Sequence, residues 1–236
     1  MNLALDIGNT AVKWATFEGR TLVESGKWRT EDVEWKVGNI DKAMACVSGN
    51  DEIVTQLSTV LGSPLSTLIP DTPLPIRIDY KTPETLGADR MAAACGACAL
   101  HPGEACLVVD AGTCITVDFV DAAGTYHGGA IMPGIRMKLE ALHNFTAHLP
   151  LLNISSGTKA PVLGRSTDEC IVAGTLGATL LALAGFVACY KAKEPALQVL
   201  LTGGDAALLA AGNSNDWEVV PDLTLIGLNE IMMYNE

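Results

Sequence analysis

Two aspartates lie in nearly the same local sequence in the two halves of the chain. Asp6 stands in "LALDIGNT" and Asp110 in "LVVDAGT", each after apolar residues and two positions before a glycine. At such a turn glycine lets the backbone approach a ligand, free amides form a concave anion site, and a Thr hydroxyl can donate to a phosphate oxygen. A carboxylate repels phosphates unless it holds a cation, so both aspartates are candidate ligands of Mg2+, its waters or another cation that bridges to a polyphosphate. The alternative is that both are solvated turn residues.

A third carboxylate belongs to the stretch "YKTPETLGADR", residues 80–90. Asp89 and Arg90 stand at the start of an Ala-rich segment that predicts a helix. There Asp89 can face the hydroxyl group of a substrate, and Arg90 can face an anionic group. The alternative is a helix-start acid followed by a surface arginine.

Short strands and turns must position the two repeated aspartates. Turn-forming residues divide each half into three strands, predicted at 3–7, 11–17 and 21–27 and again at 107–110, 115–120 and 126–131. Both copies carry Asp, Gly and Thr in the same order, and a strand of each ends at a phenylalanine, Phe17 or Phe119. We interpret this as an internal duplication, with an N-terminal lobe at 1–103 and a C-terminal lobe at 104–236.

Helices and further strands fill the rest of the sequence. Helices are predicted at 51–62, from the "GADR" motif to about residue 100, and at 134–148, 168–191 and 224–234. Further strands are predicted at 43–48, in "ALQVLLTGG" and at 217–220, and residues 150–164 are predicted to form a loop.

Composition excludes several classes of function. The net charge of -12 over 236 residues disfavours nucleic acid as a partner, because phosphate backbones need concentrated Lys and Arg. We expect no membrane partner, since no apolar run is expected to approach twenty residues, and no signal peptide, so the expected location is the cytoplasm. Seven cysteines, mostly in apolar runs, fit a reducing compartment, and the pair Cys95 and Cys98 is interpreted as helix packing.

The repeated turns resemble those of the superfamily of actin, hexokinase and acetate kinase. In that superfamily two duplicated lobes bind ATP with two such hairpins. The resemblance implies an α/β fold of two actin/ribonuclease H-like lobes, each a mixed sheet with helices, and an ATP cleft between them. The turn Gly203-Gly204 in "VLLTGGDA" resembles the superfamily's adenosine-contacting turn. Neither G-x-x-x-x-G-K-[ST] nor G-x-G-x-x-G occurs, which disfavours the commoner nucleotide-binding folds.

Four motifs in order resemble the type III pantothenate kinase family. They are "DIGNT", "PETLGADR", "DAGTCIT" and "GGAIMPG". This family transfers the γ-phosphate of ATP to pantothenate at the start of coenzyme A synthesis, and the resemblance covers essentially the whole chain. The order of G-x-D-R before D-x-G-T separates the family from sugar kinases.

The resemblance implies roles for individual residues of this chain. The nucleotide-phosphate segment comprises Asp6, Ile7, Gly8, Asn9, Thr10, Ala11, Val12 and Lys13. Further ATP contacts are Thr113, Gly203 and Gly204. Asp89 is the implied catalytic base, and the implied pantothenate pocket contains Tyr80, Gly87, Ala88, Asp89 and Arg90.

The resemblance also implies cations and a second subunit. Besides Mg2+, for which Asp6 is a candidate ligand, the family requires potassium or ammonium, and Asp110 matches the ligand position of that ion. Family members are homodimers whose substrate pocket is completed across the interface. Thr167 in "GRSTDE" stands where the family has a substrate-contacting threonine, although Ser166 replaces the asparagine often found before it. Cys114 stands where the family usually has alanine.

The sequence disfavours three other functions. A catalytically idle regulatory paralogue is disfavoured because Asp6, Asp89 and Asp110 are all present. A related kinase acting on another small hydroxy acid is disfavoured only by the "GADR" motif. An actin-like filament protein is disfavoured by the small size and by the same motif.

Overall fold

The chain folds into two compact units, which we describe one at a time. The computed structural model describes residues 1–8, 11–29, 40–48, 52–61, 65–212 and 217–236. Unit 1 comprises Met1–Gly103, Val120–Gly128 and Asp222–Glu236, and unit 2 comprises Glu104–Phe119 and Gly129–Pro221. The first segment of unit 1 ends where the sequence predicts a lobe boundary, but two later segments return to this unit.

Unit 1 is built on a mixed sheet. Its strands are β1 (Asn2–Ile7), β2 (Ala11–Glu18), β3 (Thr21–Arg29), β4 (Lys42–Val47) and β5 (Ser66–Thr67). They lie in the order β3-β2-β1-β4-β5. β2 pairs antiparallel with β1 and β3, whereas β4 runs parallel to β1 and β5. Parallel strands need a crossover, and α1 (Glu52–Leu61) provides it between β4 and β5.

The register of this sheet decides which residues share a face. Asp6 of β1 lies opposite Lys13 of β2 and Cys46 of β4. Because side chains alternate along a strand, these three point to one face, while Leu5 and Ile7 point to the other. Two helices, α2 (Ala88–Leu100) and α7 (Leu223–Tyr234), cover the face of Asp6. One buried cluster joins that face to both helices and includes Ala4, Ala15, Cys46, Met91, Cys95, Leu228 and Ile231.

The helices α2 and α7 pack at very short range. Gly227 of α7 lies directly against the backbone of Ala92 in α2, where an added Cβ would overlap the Ala92 carbonyl. Glycine removes the side chain that would otherwise separate the two helices. The C-terminal helix therefore belongs to unit 1 despite its distance along the chain.

The outer end of a hairpin completes unit 1. Strands β8 (Cys114–Val120) and β9 (Thr125–Pro133) are joined by a turn in which Asp121 Oδ1 accepts hydrogen bonds from the amides of Ala123 and Thr125, at 2.9 and 2.8 Å. The short strand β6 (Arg77–Ile78) pairs in parallel with the beginning of β9. This pairing brings the segment that precedes Tyr80 next to the hairpin.

Unit 2 repeats the strand order of unit 1. It contains most of β8 and β9 together with β7 (Cys106–Ala111), β10 (Gln198–Thr202) and β11 (Glu218–Val219). The order β9-β8-β7-β10-β11 matches β3-β2-β1-β4-β5 strand for strand. β10 runs parallel to β7 and β11, and α6 (Ala206–Ala211) connects β10 to β11 as α1 connects β4 to β5. This confirms the predicted duplicated α/β fold and makes β1 and β7, with Asp6 and Asp110, equivalent strands.

The other helices of unit 2 are α3 (Ile135–Asn144), α4 (Thr167–Val172) and α5 (Ala178–Lys191), with a π-helical segment, Ala173–Gly177, between α4 and α5. The helix predicted to reach residue 148 thus ends at Asn144. Ser166 caps α4, because its Oγ accepts a hydrogen bond of 3.2 Å from the Glu169 amide. Glu169 in turn accepts from the Arg165 amide at 2.6 Å, which resembles a capping box.

One apolar helix contradicts a sequence-based expectation. Residues Thr167–Lys191 form a continuous helix of 25 residues, and the mean hydropathy of its most apolar window is 2.1. By length and composition this helix is long and apolar enough to cross a membrane. The expectation that no apolar run approaches twenty residues was therefore wrong. Ile171, Leu176, Leu183 and Val187 of this helix belong to the core of unit 2, as in a core helix of a globular unit. Only 33% of the window is buried, so much apolar surface remains on the opposite side.

Candidate active site

Asp6 is the penultimate residue of β1. The Gly8 amide donates to the Ala11 carbonyl at 3.0 Å. The carboxylate is flanked by Lys13 and by Cys46, whose Sγ donates to Asp6 Oδ1 at 3.4 Å. Burial raises the pKa of Asp6. The positive charge of Lys13 and the hydrogen bond from the Cys46 thiol lower this pKa, and the negative charge of Asp89 raises it.

Asp89 lies in the first turn of α2, where helix N-termini favour negative charge. Its Oδ1 accepts a hydrogen bond of 2.8 Å from the Arg90 amide. Gly87 makes room for this carboxylate, since an added Cβ would stand 2.5 Å from Asp89 Oδ1. α2 packs on the face of the sheet to which Asp6 points, and the negative charge of Asp89 is among the causes that raise the pKa of Asp6.

Arg90 is buried, with 8% of its surface exposed. Its guanidinium carbon lies 6.0 Å from the ring centroids of both Tyr80 and Tyr126. The two rings are 6.1 Å apart and inclined at 59°. The distance of 6.0 Å from the guanidinium carbon to each ring is within the range of cation–π attraction, so the two tyrosines hold the charged group of Arg90 in place.

The second aspartate motif belongs to unit 2. The Gly112 amide donates to the Cys114 carbonyl at 2.9 Å, two residues further on, whereas Gly8 bonds three residues further on. Thr113 at this turn has an exposed side chain, and its carbonyl accepts from the Gly134 amide at 3.0 Å. The two equivalent glycine amides therefore bond to carbonyls at different separations along the chain.

The Gly203-Gly204 turn packs against the second aspartate turn. Gly203 has a φ of +94°, and a Cβ there would overlap the Asp110 carboxylate and stand 2.5 Å from the Ala111 carbonyl oxygen. The Asp205 amide donates to that same oxygen at 2.9 Å. Unit 2 thus brings Asp110, Gly203 and Gly204 together, although they are far apart in sequence.

A cavity of about 450 Å³ lies beside this turn in unit 2. It is lined by Ile135, Arg136, Leu139, Glu140, Leu151, Leu152, Asn153, Ile154, Asp205 and Leu208. Arg136 Nε donates to Glu140 Oε1 at 2.7 Å, and burial raises the pKa of Asp205. The walls of this cavity combine apolar side chains with the polar or charged groups of Arg136, Glu140, Asn153 and Asp205.

Carboxylates are the candidate cation ligands in both units. Among the residues described, no group of three or more His, Cys, Asp and Glu side chains is placed to hold a metal ion. Mg2+ in phosphoryl-transfer sites is usually held by one or two carboxylates and by the phosphates themselves, so Asp6 and Asp110 fit such an ion. A cation would also offset the repulsion that Asp6 feels from Asp89.

Comparison with known proteins agrees with these observations. A family model described as type III pantothenate kinase matches residues 41–189. A protein named type III pantothenate kinase from Bacteroides fragilis is 40% identical over 242 residues, covering 100% of this chain and 98% of the relative. A protein of the same name from Cytophaga hutchinsonii is 38% identical and covers 100% of both chains.

The chain belongs to the type III pantothenate kinase family. Solved structures agree on the fold of the chain. A Campylobacter jejuni protein described as a Baf family transcriptional activator superposes with a TM-score of 0.68 at 22% identity, over 99% of this chain and 98% of the other. The ethanolamine utilization protein EutJ from Carboxydothermus hydrogenoformans superposes with a TM-score of 0.53 at 12% identity, over 97% and 89% of the two chains.

The structure places the predicted residues in two groups. Unit 1 brings together Asp6, Lys13, Tyr80, Asp89 and Arg90, and unit 2 brings together Asp110, Thr113, Gly203 and Gly204. Thr167 is the first residue of α4 and is exposed. Asn9 and Thr10 lie outside the described residues.

Sequence reasoning missed Cys46, Tyr126 and His127. Cys46 sits in an apolar strand, where thiols usually act as small hydrophobes. The signal for Tyr126 was weak: an aromatic residue in the third strand of the second repeat, two positions before Gly128. The predicted packing role of Cys95 and Cys98 agrees with their chemistry, since burial raises the pKa of both thiols, that of Cys98 to about 11.

Proposed function

We infer that this chain transfers the γ-phosphate of ATP to the hydroxyl group of pantothenate, giving 4'-phosphopantothenate in the first step of coenzyme A biosynthesis. The single observation that carries this is membership of the type III pantothenate kinase family over the full length of the chain. Because the reaction consumes ATP and feeds coenzyme A synthesis, we place it in the cytoplasm.

Asp89 is the proposed catalytic base. It accepts the proton of the pantothenate hydroxyl as the oxygen attacks the γ-phosphorus, and ADP leaves with the electrons of the broken P–O bond. Phosphoryl transfer depends mainly on positioning and on charge neutralisation, so a carboxylate held at a fixed helix start suits this task. The Arg90 amide and the space at Gly87 support this placement of the Asp89 carboxylate.

Arg90 and Tyr80 are the proposed ligands of pantothenate beyond its hydroxyl group. Pantothenate carries a carboxylate, and a buried guanidinium pairs strongly with such an anion. Tyr80 and Tyr126 flank the guanidinium, which restricts its orientation before substrate binds. Gly87 and Ala88 complete the pocket wall at the start of α2.

ATP is proposed to contact both repeated turns. The segment from Asp6 to Lys13, including Ile7, Gly8, Asn9, Thr10, Ala11 and Val12, and the Thr113 hydroxyl would contact the phosphates through backbone amides and side chains. Gly203 and Gly204 would contact the adenosine. The cavity beside them supports this role, since its volume of about 450 Å³ is in the range of small-molecule sites.

Two cations are part of the proposal. Asp6 would hold Mg2+ or its waters, and Asp110 would hold a monovalent ion, potassium or ammonium. These ions supply positive charge that neutralises the phosphates of ATP. The residues of the chain orient the ions through two carboxylates at equivalent strand ends.

A homodimer is proposed on the exposed side of α5. Gly174, Ala178, Leu181, Gly185 and Ala188 are exposed and recur every three or four residues, as on one face of a helix. Val162 and Leu163, which are 94% and 76% exposed, extend this apolar surface. Patches of this kind mark interaction sites. In such a dimer Thr167, at the start of α4, would contact pantothenate bound to the other subunit.

The test is ATP-dependent phosphorylation of pantothenate by the purified protein with Mg2+, in potassium and then in sodium buffer. Asp89→Asn is the informative variant, and we expect it to lower kcat by about 10²-fold or more. Glu84→Gln, an exposed acid in the neighbouring 3-10 turn, is the matched control and should keep normal turnover. Near-normal kcat in Asp89→Asn would refute the base assignment, and no product in either buffer would refute the function.

A further inference from the structure

His127 of β9 lies between two carboxylates. Its Nδ1 is 3.1 Å from Asp79 Oδ2, and its Nε2 is 2.8 Å from Asp121 Oδ2. Asp79 precedes Tyr80, and Asp121 belongs to the turn that joins β8 to β9. One imidazole therefore links the segment that carries Tyr80 to the hairpin on which Tyr126 stands.

The protonation state of the imidazole decides how many of these links are hydrogen bonds. Ionised carboxylates only accept hydrogen bonds, and a neutral imidazole has a single N–H donor. Only the imidazolium ion can donate to both carboxylates at once. The hydrogen bond to Asp121 raises the pKa of His127, burial acts against this, and the bond to Asp79 raises it further.

Asp79 is otherwise attached to the hairpin through its backbone. Its amide donates to the Tyr126 carbonyl at 2.9 Å, and the Arg77 amide donates to the Gly124 carbonyl at 2.9 Å. β6 has only two residues, and Ile76, Ile78 and Tyr80 anchor this segment by packing on the buried cluster of unit 1. The side-chain bond at Asp79 adds a contact to the hairpin at the position next to Tyr80.

The Tyr80 ring lies directly after this anchor. It packs against Gly128, where φ is +91° and an added Cβ would stand 3.0 Å from Tyr80 Cε2. The same ring flanks Arg90 together with Tyr126. A shift of Asp79 away from the hairpin would therefore move one wall of the Arg90 site.

We propose that His127 is a positioning residue for the pantothenate pocket: its imidazolium form ties Asp79 to Asp121 and holds the Tyr80 ring against Arg90, and loss of its proton loosens that wall. This rests on the proposed roles of Tyr80 and Arg90 in binding pantothenate.

Other charged or titratable groups lie near the residues that His127 contacts or adjoins. Arg77 Nη2 donates to the Ala123 carbonyl in the turn at 3.5 Å, Arg90 lies beside Tyr80 and Tyr126, and Asp121 influences the Cys98 thiol. Burial raises the pKa of the Cys98 thiol to about 11, so this group stays neutral near neutral pH. Burial opposes ionisation of Asp121, but hydrogen bonds from His127 and from the amides of Thr125 and Ala123 outweigh it and lower the pKa of Asp121.

The experiment compares wild type with His127→Gln, which keeps a similar size but cannot become a cation. Between about pH 5.5 and about pH 8.5, the range in which histidines titrate, KM for pantothenate, KM for ATP and kcat are measured separately. In wild type we expect KM for pantothenate to rise about threefold to tenfold as pH increases, the effect of losing one hydrogen bond, with little change in KM for ATP. His127→Gln should show the high pantothenate KM at every pH, and Asp79→Asn should behave in the same way.

Controls separate this inference from the proposed function. His148→Gln changes an exposed histidine in unit 2 and should keep the wild-type pH profile. Calorimetric binding of pantothenate in the absence of turnover should show the same pH step in wild type and no step in His127→Gln. An identical step in His127→Gln would overturn the role of His127. If Arg90→Gln and Tyr80→Leu left pantothenate affinity unchanged, the pocket itself would be wrong.

Discussion

The Cys46 thiol donates to the Asp6 carboxylate across neighbouring parallel strands, with 3.4 Å between Sγ and Oδ1. Cys46 is 1% exposed, and burial beside Asp6 and Asp89 raises the pKa of its thiol, so it stays a neutral donor. The thiol has no direct role in the proposed chemistry, but its hydrogen bond supports the carboxylate of Asp6, the proposed ligand of Mg2+.

The contribution of the Cys46 hydrogen bond to catalysis can be tested with two substitutions of similar size. Cys46→Ser keeps a donor and should stay close to wild type, whereas Cys46→Ala removes the donor and should lower kcat/KM for ATP by about threefold to tenfold. Steady-state kinetics at varied Mg2+ measures this. Equal activity of Cys46→Ala and wild type would show that Asp6 needs no support from the thiol.

Tyr126 should support pantothenate binding without touching the substrate. Its fully buried ring lies 6.0 Å from the Arg90 guanidinium carbon, so Tyr126→Leu removes one aromatic face and should raise KM for pantothenate by about tenfold. Tyr126→Phe keeps the ring and should lie closer to wild type. Unchanged pantothenate KM in a folded Tyr126→Leu protein would contradict the role of the ring.

Gly227→Ala should destabilise unit 1 through a backbone clash. The new methyl would overlap the Ala92 carbonyl, so α7 must shift away from α2, at a cost of about 1–3 kcal/mol or more. Gly103→Ala is the control, because it combines a φ of +79° with open space and should cost about 1–2 kcal/mol from backbone strain alone. Chemical denaturation compares them, and a stability for Gly227→Ala equal to wild type would argue against this helix contact.

The stabilisation of the fold by His127 should decrease as pH rises. The pKa of this imidazole is raised in the folded state, so its stabilising effect is fully present below about pH 6.5, the value for unfolded histidine, and is lost as pH rises through the folded pKa. The difference in Tm between wild type and His127→Gln should therefore shrink from acidic to alkaline pH. A difference that grows with pH would mean that the neutral imidazole is the stabilised form.

Leu181→Glu should dissociate the proposed homodimer. Leu181 is 67% exposed on the apolar side of α5, beside a cavity of about 250 Å³, and a buried unpaired charge at an interface is costly. Light scattering should report a monomer, with pantothenate KM raised because Thr167 of the second subunit is lost. Leu100→Glu, at a 40% exposed leucine in unit 1, is the control and should leave the mass unchanged. A dimeric Leu181→Glu protein would place the interface elsewhere.

The sequence by itself determined the local features of this protein. The alternation of apolar residues predicted β1 to β4 and β7 to β9 within a few residues, because side-chain period and turn residues act over short distances. The ordered motifs identified the family, and both repeated aspartates occupy equivalent strand ends, as the duplication predicts. Local pattern also placed Asp89 and Arg90 at the start of α2.

Only the tertiary structure decided which distant residues meet. The register of β1 against β4 places Cys46 beside Asp6, and the return of 120–128 and 222–236 to unit 1 places Tyr126 beside Arg90 and α7 against α2. The exposed side of the apolar helix Thr167–Lys191 is likewise a result of packing, since its sequence is apolar all round. Such contacts join residues many positions apart and depend on strand register and on helix packing, for which a single sequence carries no local signal.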